Sequence, residues 1–157
     1  MNISKPLLKT AVLGFMSGMR SFSGITAASI MLAGHPSKKL KQSGLRYVQL
    51  PAVRNTLVTL ALGEFVGDKL PAAPNRTEAA GLSGRVAFGT LTGLVIAKAN
   101  NQNLLKSALI AGSCALAATF VSFYLRKAAA DAKLLPDFSL GAIEDILVLT
   151  TAVVVIS

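Results

Sequence analysis

From Ser107 to Leu125 the chain reads SALIAGSCALAATFVSFYL, 19 residues without a charged side chain. A hydrocarbon core of about 30 Å is crossed by about 20 helical residues at a rise of about 1.5 Å each, so this run has the length and character of a spanning helix. Four further apolar regions, residues 7–33, 51–67, 84–98 and 138–157, are interrupted or flanked by charge. A mean hydropathy of +0.58 extends the membrane reading to the whole chain, as does a composition of 52% hydrophobic and 15% charged residues. The length of 157 residues leaves no room for a second, soluble domain. The expected fold is therefore an all-α integral membrane protein, a compact bundle of about five transmembrane helices, with about four to six as the range.

The interrupted regions keep alternatives open. Arg54 and Glu64 punctuate the second, Arg85 and Lys98 bound the third, and Glu144 and Asp145 precede the run Ile146 to Ser157. Segments this short sit between longer helices, tilt little, or form half-helices shielded from lipid by protein. Breakers separate the regions: GHPSKK after the first, KLPAAPNRTEAAG after the second, KANNQN after the third and LLPDFS before the last. Proline removes a backbone donor and disfavours helix just before it, which marks Pro36, Pro71, Pro74 and Pro136 as boundaries.

An internal repeat organises the chain further. SGMRSFSG at 17–24 resembles SGRVAFG at 83–89, and DKLP at 68–71 resembles DAKLLP at 131–136. The separation from arginine to aspartate is 48 residues in the first copy (20 to 68) and 46 in the second (85 to 131), so order and spacing agree with residue type. The expectation is two related halves, 5–75 and 82–157, of one membrane domain. Such halves commonly meet at a pseudo-two-fold axis where transporters place their sites; an old duplication without surviving functional symmetry is the alternative.

Glycine spacing speaks to packing. Gly14 and Gly18, Gly63 and Gly67, and Gly89 and Gly93 stand four apart, as do Ala108 and Gly112. Small residues along one helix face let backbones approach closely, within a monomer or across a dimer.

Arg20 is the charge that most needs an explanation. In a helix over 7–33 it falls near the bilayer centre, where arginine costs from about 2.5 to about 17 kcal/mol depending on the measure. Glu64, one turn before Asp68 in GEFVGDKLP, is a candidate partner, because a guanidinium makes two parallel hydrogen bonds to a carboxylate. The pair serves equally as a structural clamp or as a functional site. Gly18, Ser21, Ser23 and Gly24 offer another solution, a first region broken near Arg20 into half-helices whose ends expose amides and carbonyls. Adjacent helical side chains diverge by about 100°, so Glu144 and Asp145 are not expected to act as one pair; they read as an interfacial helix start, with Glu144 facing the bundle as the alternative. The candidate site is therefore Arg20, Glu64, Asp68, Ser21, Ser23 and Glu144.

Several classes are not expected. Cys114 is the only cysteine and His35 the only histidine. That excludes an internal disulfide and argues against a metal site or a catalytic triad; no phosphate-binding loop is present either, so no cofactor and no enzyme are expected. Cys114 reads as a small buried hydrophobe and His35 as a solvated or interfacial residue. The net charge of +9 is explained by loop lysines beside anionic headgroups rather than by nucleic acid. With a single first span the basic residues divide eight against seven, and with a hairpin nine against six, a slight lean to a cytoplasmic N-terminus.

Through GMRSFSG and GEFVGDKLP the chain resembles an uncharacterised bacterial family of small multi-pass membrane proteins, a domain of unknown function with Gly-x-Arg and Asp-Lys-x-Pro elements. The matching positions are Gly18, Arg20, Glu64, Asp68, Lys69 and Pro71, and the likeness extends loosely over most of the chain. It implies a bacterial inner membrane location and supplies no activity. The leading functional expectation is a transporter or channel for a small solute, ion or lipid headgroup. Its rival is a structural or assembly subunit of a larger membrane complex, with Arg20 and Glu64 as an internal clamp. The expected partners are the lipid bilayer and a homodimer or larger complex, with no nucleic acid.

Overall fold

A computed structural model describes residues 5–67, 79–132 and 137–156. Among these residues every regular element is helical: α1 (Lys5–Met19), α2 (Ser23–Gly34), α3 (Lys38–Lys41), a 3-10 helix (Gly44–Gln49), α4 (Pro51–Gly67), α5 (Ala79–Asn100), α6 (Leu104–Asp131) and α7 (Asp137–Ile156).

The first apolar region is two helices. Residues 20–22 turn the chain, and α2 returns along α1, so that Gly24 lies against the Leu13 carbonyl and the Ser17 hydroxyl, while Lys9 Nζ comes within 4.0 Å of Met31 Sδ. The other boundaries follow local chemistry. Pro51 opens α4 at the position where its missing N–H costs nothing. Asn101 ends α5 with a positive φ of 57°, and the Gln102 N–H reaches back to the Ala97 carbonyl at 2.9 Å, a helix stop that asparagine tolerates. Two residues on, the Asn103 side chain accepts from the Lys106 N–H at 2.9 Å and caps α6.

Close packing of α1, α5 and α6 forms the centre. A Cβ at Gly14 would stand 2.5 Å from the Ala111 carbonyl oxygen, one at Gly93 2.5 Å from that of Ser107, and one at Gly89 2.6 Å from Ala115 Cβ. At Gly112 it would meet Thr90 Oγ1 at 2.7 Å, and at Gly18 it would strike Ala115 and Ala118. These pairings run α1 parallel to α6, with α5 antiparallel to both. Backbones this close replace side-chain interdigitation with dispersion along the helix surfaces. Around the centre, α2 packs against α4, α5 and α7, and α7 lies along α1 and α2.

Gly63 and Gly67, expected to pack in the same way, do not: among the described residues nothing lies within 4 Å of a Cβ at either position. At about 100° per residue, α4 turns Leu57, Ala61, Glu64 and Phe65 to the bundle and Gly63 to the outside, with Gly67 half-buried at the helix end.

Polarity is arranged as lipid requires. The buried stripe of α6 is Ser107, Ala111, Ala115, Ala118, Thr119 and Ser122, and its exposed face is Leu105, Leu109, Leu116, Phe120, Val121 and Leu125. In α7 the buried stripe holds Glu144, Asp145, Val148 and Val155, whereas Ile143, Ile146, Leu147, Leu149, Val153 and Val154 are exposed. Large apolar side chains outside and small or polar ones inside invert the order of a water-soluble domain, and suit a solvent of acyl chains. Among the described residues, three helices are long and apolar enough to cross a membrane, over Ala79–Asn100, Leu104–Ala129 and Ser139–Ile156.

Candidate functional site: a charged junction at the helix break

The turn between α1 and α2 is where the charges gather. A helix break exposes carbonyls at the end of one helix and amides at the start of the next, and each set needs partners. The Gly18 carbonyl, in the last turn of α1, accepts from Arg85 Nη1 at 3.3 Å and lies 3.0 Å from the Thr119 hydroxyl. Ser23 Oγ lies 2.7 Å from the Met16 carbonyl oxygen and 2.8 Å from that of Arg20. On the other side of the break, the Glu64 carboxylate accepts from the N–H groups of Ser21 at 2.7 Å and Phe22 at 3.1 Å. A cation thus meets the negative end of α1 and an anion the positive end of α2, which is the arrangement that helix dipoles favour.

Arg20 itself is 1% exposed. Its Nη2 donates to Asp145 Oδ1 of α7 at 2.5 Å, and its Nη1 lies 3.5 Å from the Glu64 backbone carbonyl oxygen. The guanidinium also sits 5.2 Å from the centre of the Phe65 ring, a contact that desolvation strengthens. Asp145 thus gives it a carboxylate contact, while the expected partner, Glu64, reaches it through the main chain and turns its carboxylate to the amides of Ser21 and Phe22. Both acids serve the same turn.

The two neighbouring acids of α7 part company, as their angular separation requires. Asp145 turns to Arg20, and Glu144 accepts from Ser122 Oγ at 2.5 Å and lies 3.5 Å from Arg126 Nη1. Glu144 is buried, so it faces the bundle and ties the start of α7 to the end of α6. Ser21 contributes its backbone N–H rather than its hydroxyl. Asp68 lies outside the described residues. His35 is exposed, and Cys114 is half-buried on α6.

Sequence reasoning passed over Asp145, Arg85 and Thr119 as members of this junction. The signal for Asp145 was present: Gly141, Glu144, Asp145 and Val148 fall at helical spacing on one face, between positions filled by isoleucine and leucine. For Arg85 the signal was its likeness to Arg20, and the two arginine-bearing segments meet through the bond from Arg85 to the Gly18 carbonyl. Phe22 and Phe88 pack with ring centroids 4.6 Å apart and planes tilted by 54°.

The junction lies inside the span of the long helices. Arg85 is six residues from the start of α5 and Asp145 eight from the start of α7, hence about 9 and about 12 Å in from those ends. Chemically, its described residues offer fixed charges and hydrogen bonds. It defines the class as an all-helical protein with apolar helices of spanning length around buried ion pairs, consistent with a membrane protein. Compared with known proteins, the chain matches no family model, no curated protein and no solved structure.

Proposed function

We propose that this chain is a structural or assembly subunit of the membrane, in which the charged junction is an internal clamp. One observation carries the reading: Arg20, at 1% exposure, is turned onto Asp145, while Glu64 is turned onto the amides that open α2. Charges so placed hold a re-entrant hairpin against α7 and α4. Desolvated ion pairs cost as much as they return, but breaking one partner leaves an uncompensated charge, so such pairs fix a conformation more than they stabilise it. Under this reading the helices too short to be assigned as spans, α1, α2 and α4, enter the membrane beside α5, α6 and α7. The halves 5–75 and 82–157 are one duplicated unit, a reading supported by the contacts between the two Ser-Gly-Arg elements. The open face of α4 is then the surface presented to a partner.

The test is a double substitution, Arg20→Met with Asp145→Leu, in the full chain. As a clamp, the pair is replaceable: the variant folds, and it co-purifies with the same membrane partners as the wild type. A second reading, transport of a small solute or ion, draws on the burial of the junction within the helix span and on the broken helix at its centre. Liposome flux separates the two. A double variant that melts like the wild type but loses a flux that the wild type carries would replace the clamp by the transport site.

A further inference from the structure

The helix directions sort the charges by end. The starts of α1, α4 and α6 and the ends of α2, α5 and α7 lie together with α3 and the 3-10 helix, and nine of the chain's 16 basic residues fall at that end. The acidic residues in the described helices, Glu64, Asp131, Asp137, Glu144 and Asp145, fall toward the opposite ends of α4, α6 and α7. Arg20, Arg85, Arg126 and Lys127 lie toward that opposite end as well. Among the described residues, the first end therefore carries nine cations and no acid, whereas cations and acids are mixed at the other.

The basic end is a built surface. Leu40, 0% exposed, anchors α3 while Lys38, Lys39 and Lys41 face outward. Ser29 Oγ donates to the Val48 carbonyl at 2.6 Å, the Ser37 N–H to Gln49 Oε1 at 2.6 Å, and Ser37 Oγ to the Ala99 carbonyl at 3.1 Å, so the segment is fastened to α2 and α5. Arg46 lies over the ring of Tyr47, 4.9 Å from its centre, and the ring is 51% exposed beside Leu50, which is 45% exposed. Fixed lysines beside an exposed tyrosine and leucine, at the ends of apolar helices, are matched to the headgroup layer: cations meet phosphate, and the amphipathic ring spans the polar and apolar sides.

We infer that the segment Lys38–Leu50 is a docking platform for the headgroups of anionic phospholipids in the leaflet at this end of the bundle. The phosphodiester charges sit among Lys38, Lys39, Lys41 and Arg46, and the acyl chains run down the exposed faces of the adjoining helices. This inference does not depend on whether the junction is a clamp or a transport site, since the platform lies at the opposite end.

Native mass spectrometry of the full chain from detergent, with phosphatidylglycerol or phosphatidylcholine added, tests it. The wild type retains phosphatidylglycerol preferentially, and added salt weakens the preference. Lys38→Gln with Lys39→Gln and Lys41→Gln lowers the affinity for phosphatidylglycerol by about a hundredfold, from about fivefold per charge near the surface. Arg46→Gln alone gives a smaller loss in the same direction, so a folding defect in the triple variant does not leave the inference untested. Lys127→Gln at the other end changes nothing. Equal retention of the two lipids overturns it, as does an equal loss from Lys127→Gln. Displacement of the lipid by inorganic phosphate at equal concentration points to a free anion instead, and an oligonucleotide bound more tightly than the lipid points to nucleic acid; either result overturns it too.

Discussion

Helices α1 and α4 start from the same end of the bundle, carry glycines four residues apart, and finish at the same charged junction, yet they are packed in opposite ways. In α1, Thr10, Leu13, Gly14, Met16, Ser17, Gly18 and Met19 are buried; in α4 only Leu57 is. The glycines of α1 admit the backbone of α6, and those of α4 meet nothing within 4 Å among the described residues. A spacing motif thus states what a helix face permits, and the neighbours decide whether it is used. The charges at the two ends differ similarly: Arg20, after α1, is sealed against another helix, whereas Glu64, in α4, closes hydrogen bonds to main chain.

The largest effect expected from breaking this comparison is at Arg20. Arg20→Met removes the guanidinium and leaves Asp145 buried without that contact, at a cost of about 3–5 kcal/mol by the behaviour of buried pairs that lose one member. Adding Asp145→Leu recovers part of that loss, because the carboxylate that faced the guanidinium goes with it. Chemical unfolding in detergent of the two single variants and the double variant reads the coupling. Additive losses would show that the pair does not act as a unit.

Next comes the packed face of α1. Gly14→Val drives two methyl groups into the Ala111 main chain, which has no rotamer with which to yield, and lowers stability by about 1–3 kcal/mol. The same change at Gly63 meets open space among the described residues, and its melting temperature stays close to that of the wild type. If the two variants melt alike, the helices are not packed differently.

How much of this was legible beforehand depends on which forces act locally. The spanning run Ser107–Leu125, the outlines of α5 to α7 and the Asn-rich turn at 100–103 follow from hydropathy and short-range capping, and the sequence carries both openly. The glycine pairs were equally visible, but which of them would be used depends on tertiary neighbours. The break at Arg20 was one of two open readings, since serine and glycine around an arginine allow a turn without requiring one. Its direction, a hairpin rather than a kink, is set by contacts from Arg85, Thr119 and Glu64, which lie 44 to 99 residues away in sequence. Glu64 was chosen as the partner of Arg20 because charge suggested it; the amides of Ser21 and Phe22 compete for the same carboxylate, and no sequence pattern weighs a main-chain donor against a side-chain one.

A smaller effect is expected at Glu64. Glu64→Gln keeps the shape and one acceptor oxygen for the two amides, so α2 loses about one capping interaction, or about 1 kcal/mol. Glu64→Ala removes both and costs about 2 kcal/mol, the upper end for a lost cap. Hydrogen exchange at Ser21 and Phe22 reads this directly, with faster exchange in Glu64→Ala than in Glu64→Gln and the slowest in the wild type. Unchanged exchange in both variants would remove Glu64 from the role of a cap.

The smallest effect has the opposite sign, and it sharpens the contrast between α1 and α4 most. No glycine in the described chain has a positive φ, so alanine fits the backbone of Gly63 without strain. In an open helical position, glycine to alanine gains up to about 1 kcal/mol from the narrower unfolded ensemble. Gly63→Ala therefore raises the melting temperature of the isolated protein by a few degrees, whereas Gly14→Ala, against the Ala111 carbonyl, lowers it. The same variant then tests the assembly reading in the native membrane. A partner helix seated on the α4 face needs the missing Cβ, so Gly63→Ala weakens co-purification of that partner even as the subunit itself becomes more stable. A gain in stability with undiminished co-purification would show that no partner docks on this face of α4. The open glycines would then be exposed to lipid alone.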